Sequence, residues 1–185
     1  MQAYENTLIE RRPLVKLLGL SAAIIVALAV LSFGWPQAIT GVLINALLLL
    51  TALYVGLPQA LILGLITPLG GTLRGVLPLP MAVMIPFIAL GNATFVSVYS
   101  GLRGRNGLLA LAAGALAKFA LLAGVVTLLQ AAPLTLTAGN TSSALVIPPA
   151  FAGMMTWPQL ANALAGGLLA EGVRWWQGRK ARRDA

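Results

Sequence analysis

Residues 38–69 run for 32 positions without a charged side chain. As one helix the run would be about 48 Å long, against a bilayer hydrocarbon core of about 30 Å. It is too apolar for water and too long for one crossing. "VGLPQ", residues 55–59, offers the break, because Gly and Pro punctuate helices. Two spans result, about 37–55 and 58–69.

The rest of the chain extends this pattern. "PLVKLLGLSAAIIVALAVLSFGW", residues 13–35, is a first span. Its Arg11–Arg12 flank and apolar run resemble a secretion signal, but no small-residue cleavage site follows and more spans come after. An uncleaved first helix is expected. A fourth span covers 81–102, with Pro86 expected to kink it. A fifth covers 107–130 and a sixth 155–176, followed by a polar tail, 177–185. The two longer connections are 70–80 and 131–154. Fold and domain expectations are therefore an all-α integral membrane protein, one domain over residues 1–185, with six transmembrane helices.

Charge tests that count. The 185 residues are 59% hydrophobic and 9% charged, where soluble domains average about 25% charged. Ten of the twelve Lys and Arg lie at the termini or in the 103–105 connection. Six spans put all ten on one side, and merging 37–55 with 58–69 would throw the C-terminal cluster across the membrane. The positive-inside bias thus selects six spans with both termini cytoplasmic and both long loops external. Basic residues placed this way anchor headgroups of a lipid bilayer rather than line a nucleic-acid groove, so no nucleic acid is expected as partner.

Catalysis has little to work with. The chain has no Cys and no His, and its acids are Glu5, Glu10, Glu171 and Asp184. No nucleophile–base pair, carboxylate dyad or Cys-rich metal site can be assembled, and no phosphate-binding glycine loop occurs. An enzyme is not expected, nor a metal or cofactor. Uphill transport would need ATP hydrolysis by another subunit.

Lys118 is the sharpest polar signal, eleven residues into the fifth span. A charge at that depth costs at least about 2.5–3.5 kcal/mol on insertion scales and usually faces a cavity or a partner. The plainer alternatives are snorkelling, or pairing with Glu171 about 12 Å shallower. Glu171 itself has Arg174 at i+3, the spacing of a local helix pair. Arg74, in "GGTLRGVLPLP", has no acid on its side of the membrane, and its Gly and Pro neighbours favour a defined turn. Ligand contact and an ordinary lipid-facing arginine are both open. Asn45, Asn92 and Asn162 lie within spans, where amides more often join helices than hold ligands. "GNTSS", residues 139–143, places Asn140 in a donor-rich patch of the last external loop. Ala23 and Ala27 sit at a spacing that allows close helix approach, within the chain or to a partner.

Layout and residues together resemble the substrate-binding S components of energy-coupling factor (ECF) vitamin transporters. The resemblance rests on six spans with cytoplasmic ends, on "AIIVA" (residues 23–27), similar to the Ala-xxx-Ala docking motif, and on "LITPLGGTLRGVLPLPMAVMIPFIALGN" (residues 65–92), similar to S components without a defined substrate. It implies a high-affinity binding subunit for a vitamin-like micronutrient in a prokaryotic plasma membrane. Its partners would be a transmembrane coupling subunit, docked through Ala23 and Ala27, and ATPase subunits. It also implies Arg74, Asn92, Lys118 and Asn140 as substrate-binding candidates. The first external loop, about 34–37, is shorter than the family's usual lid. An uncompensated Arg74 and Lys118 would favour an anionic ligand with an apolar or aromatic body. The competing expectations are a membrane scaffold or assembly protein without a ligand and an ion-coupled carrier, the latter disfavoured by the lack of a deep acid.

Overall fold

The computed structural model describes residues 2–75, 79–138, 141–145 and 147–183. Six long helices account for most of them: α1 (Gln2–Ser32), α2 (Gln37–Tyr54), α3 (Leu57–Leu73), α4 (Ile85–Leu102), α5 (Gly107–Ala131) and α7 (Trp157–Arg183). Four helical segments, Pro13–Ser32, Gln37–Tyr54, Ala82–Leu102 and Gly107–Ala131, are long and apolar enough to cross a membrane. This is a membrane protein.

Local chemistry sets the helix ends. Pro36 and Pro58 start α2 and α3, where a missing N–H is harmless. Asn106 caps α5, accepting from the backbone N–H of Leu108 and Leu109 at 2.9 and 3.1 Å. Gly75, at φ +72°, ends α3: its N–H donates to the Thr72 carbonyl, and that of Arg74 to the Gly70 carbonyl.

Three expectations change. Pro86 does not kink a helix over 81–102. Residues Leu79–Met84 form a 3-10 turn, and Pro86 stands in the first turn of α4, where it needs no carbonyl partner. The interior prolines are Pro13, in α1, and Pro68, in α3. The 177–185 tail is helical through Arg183, because α7 continues past 176 and across Gly178. The 131–154 connection is not a bare loop. It forms an antiparallel hairpin, β1 (Leu134–Ala138) with β2 (Thr141–Leu145), in a register from Leu134 opposite Leu145 to Ala138 opposite Thr141. A short helix follows, α6 (Pro149–Gly153).

The bundle packs α4 on α5 and α3, and α2 on α7 and α3, with α1 against α2 and α3. Its apolar core is in two parts. One, toward the basic C-terminal end of α7, includes Leu48, Leu63, Phe95, Leu111 and Ala163. The other, toward the hairpin, joins Met84, Leu122 and Val126 to Ile147, Ala152 and Met155 of the returning connection. Along α5, Lys118 falls between Ala115 of the first cluster and Leu122 of the second. Along α4, Asn92 falls likewise between Ile88 and Phe95. A polar layer separates two apolar ones.

Ala23 and Ala27 are 7% and 3% exposed and belong to the core. They form the stripe by which α1 meets its own bundle. Their small side chains let α1 approach α2 and α3 closely.

At the basic end the i+3 pair expected of Glu171 and Arg174 is formed, with an oxygen–nitrogen separation of 2.6 Å. The other Glu171 oxygen accepts from the Tyr99 hydroxyl, tying α4 to α7. Tyr99→Phe removes one donor from a buried carboxylate and is expected to lower stability by about 2 kcal/mol, read from reversible detergent-denaturation midpoints. An unchanged midpoint would show that the latch contributes nothing.

Candidate functional site

The polar layer is built from the backbone outward. Pro68 has no N–H to give the carbonyl four residues earlier, so the Gly64 oxygen lacks its helical donor, and within α3 the Thr67 hydroxyl reaches it only at 3.4 Å. Asn92 of α4 supplies the donor: its Nδ2 reaches the Gly64 oxygen at 3.1 Å and the Thr67 hydroxyl at 3.3 Å. Glycine at 64 eases the approach, since a Cβ there would lie 3.1 Å from that of Asn92. With both amide hydrogens committed, the Asn92 Oδ1 points to α5 and accepts from Lys118 Nζ at 2.8 Å.

Lys118 is 2% exposed. Its second bond, 2.7 Å, goes to Asn45 Oδ1 on α2, and its Nζ lies 5.7 Å from the centroid of the Phe95 ring. Asn45 is oriented in turn by a 2.7 Å bond from Nδ2 to the Gly41 carbonyl. One ammonium thus joins three helices through two neutral amides. No carboxylate among the described side chains reaches it. Glu171 does not serve as its counter-ion, because its oxygens are engaged by Tyr99 and Arg174.

A cavity of about 90 Å³ opens beside this group and ends on Lys118, Asn45 and Asn92. Its other polar wall groups are Gln37 and Thr40 at the start of α2, Thr67, and Gln159 at the start of α7. Leu31, Ile44, Ile88 and Met155 supply apolar wall. These come from the hairpin ends of the helices, so the cavity lies in that half of the bundle, with the lysine at its floor.

Of the four expected binding residues, two meet here: Asn92 and Lys118. Arg74 is exposed, caps the end of α3 and is not part of the cavity wall. Asn140 lies outside the described residues. Asn162 is buried where α7 crosses α2, against Gly41, as helix–helix packing. Sequence reasoning treated Asn45 as helix glue and passed over Thr67, Gln37 and Gln159. The Thr67–Pro68 pair carried the usable signal, since an interior proline announces an unused carbonyl that a neighbouring donor must meet.

Among known proteins, no family model, no curated protein and no solved structure matches the chain.

Proposed function

We propose that the chain is the membrane-embedded binding subunit of an uptake system, taking a small solute with an anionic group and working with a separate ATP-hydrolysing module. The observation that carries the proposal is Lys118: a buried lysine amino group with no carboxylate partner among the described residues, at the floor of a polar-walled cavity. A cation held this way offers an anion its missing counter-charge, and intramembrane charges usually mark ligand sites. The resemblance to ECF S components supports the same role.

The topology belongs to this proposal. α3, with 17 residues, and α7 complete a set of six spans with α1, α2, α4 and α5. Both termini face the cytoplasm of a prokaryote and the hairpin faces outside, so the cavity takes solute from the external half. That arrangement keeps ten of twelve basic residues on the cytoplasmic side. On α1 the surface offered to a transmembrane coupling subunit is the outward one bearing Ile25 and Val26, 67% and 48% exposed.

Mass spectrometry of small molecules released from the purified chain tests the binding role. Wild type and Arg74→Ala are expected to carry the same compound, and Lys118→Ala to lose it. Retention by Lys118→Ala would reject the assignment. The two amide bonds to Lys118 favour one other reading, a scaffold in which the lysine only joins helices. An empty wild type together with a Lys118→Leu variant clearly less stable than wild type would support it.

A further inference from the structure

We infer that the ligand is a compact aliphatic monocarboxylate, bound with its carboxylate at Lys118 and its short chain against Leu31, Ile44, Ile88 and Met155. The inference rests on the binding reading above and narrows it, from the size, charge and composition of the wall.

Size comes first. Drug-sized and vitamin-sized ligands occupy pockets of about 300–1,000 Å³. This cavity is about 90 Å³, room for on the order of six to nine water-sized groups. A carboxylate with a three- or four-carbon chain fills such a space, and a fused-ring heterocycle does not.

Charge comes second. Lys118 is the one charged residue of the wall, and no carboxylate lines the cavity among the described residues. A single negative charge is neutralised there. A second would be buried without a cation, and a ligand ammonium would find no carboxylate.

Donor inventory and wall chemistry come last. An ammonium has three N–H groups and an amide two. Lys118 has given two and the Asn45 amide one, so each keeps one hydrogen, and both groups stand at the cavity floor. Two neighbouring donors suit the two oxygens of a carboxylate. Among the described residues no aromatic side chain lines the cavity, so nothing is provided to stack on a ring. Of the apolar or aromatic body expected from the sequence, the wall favours the aliphatic alternative.

Isothermal titration of the full-length chain in detergent, with butanoate, succinate, benzoate and butanamide as probes, decides the matter. Butanoate is expected to bind at least about tenfold more tightly than the other three, and to lose about tenfold or more in Lys118→Met. Met155→Trp, which fills the cavity and leaves the lysine in place, is expected to abolish binding, so a poorly folded Lys118→Met does not end the test. Tighter, Lys118-dependent binding of succinate or benzoate would overturn the monocarboxylate class while leaving anion binding intact. If none of the four binds and wild type still carries a Lys118-dependent compound after purification, this inference fails and the proposed function stands. If neither is seen, both fail.

Discussion

Gly166→Ala is expected to destabilise the bundle by about 3 kcal/mol, the upper part of the range for overpacked cores. A Cβ on Gly166 would lie 2.7 Å from the Ala46 backbone nitrogen and 2.8 Å from the Asn45 Cβ. Those atoms belong to the body of α2 and cannot rotate away, so α2 and α7 must separate. The separation draws Asn45 from Lys118, and binding should fall with stability. Two neighbouring glycines grade the effect. At Gly167 an added Cβ meets the Leu111 side chain, with its Cγ at 3.0 Å, and a side chain can change rotamer, so Gly167→Ala should cost about 1 kcal/mol. At Gly172 nothing lies within 4 Å, and alanine there should be neutral or stabilising by up to about 1 kcal/mol through helix propensity. Detergent-denaturation midpoints in the order Gly172→Ala, Gly167→Ala, Gly166→Ala, from most to least stable, are the expected result. A Gly166→Ala variant as stable as Gly172→Ala would mean that α2 and α7 do not cross at this point.

The same comparison separates what the sequence reveals about this fold from what it hides. Helix positions are legible because Gly, Pro and Asn end helices by local chemistry, and Pro36, Pro58, Gly75 and Asn106 all do so here. Pro86 was misjudged because a proline in a first turn and one in an interior look alike until the helix start is known. Depth is legible as well: Lys118, Asn92 and Asn45 each read as mid-span. Rotational setting is not. A helix in water shows its inward face as an apolar stripe, whereas helices apolar on every side, such as α3 and α5, carry no such stripe. Hence nothing in the sequence could say that Ala23 and Ala27 face inward, or that Asn45 and Asn92 converge on one lysine. Charge bookkeeping treats Arg74 and Lys118 alike, and it is blind to direction: Lys118 lines the cavity and Arg74 does not.

Asn92→Ala is the second large effect, and its size tells how Lys118 is held. Hydrogen bonds between transmembrane helices average only about 0.6 kcal/mol by double-mutant cycles, because the unfolded chain in a membrane also finds partners. If Asn92 were glue of that kind, three average bonds would add to about 2 kcal/mol. Asn92 does more than join helices. It accepts from a buried ammonium and donates to the Gly64 carbonyl that Pro68 leaves without its helical donor. Removing a partner from a buried charge costs about 3–5 kcal/mol, and Asn92→Ala is expected to fall in that range. The second substitution discriminates. Lys118→Leu placed in the Asn92→Ala background removes the unsupported charge and should recover most of the loss, leaving about 1 kcal/mol for the Gly64 carbonyl. Lys118→Leu alone should be near neutral for stability, since an apolar side chain of similar bulk needs no partner there, yet it should abolish ligand binding. Recovery of stability without recovery of binding would show that this lysine is kept for its ligand, in a layer where the fold would tolerate leucine. No recovery in the double variant would mean that Asn92 acts through the Gly64 carbonyl alone, and that the ammonium finds support elsewhere in the cavity.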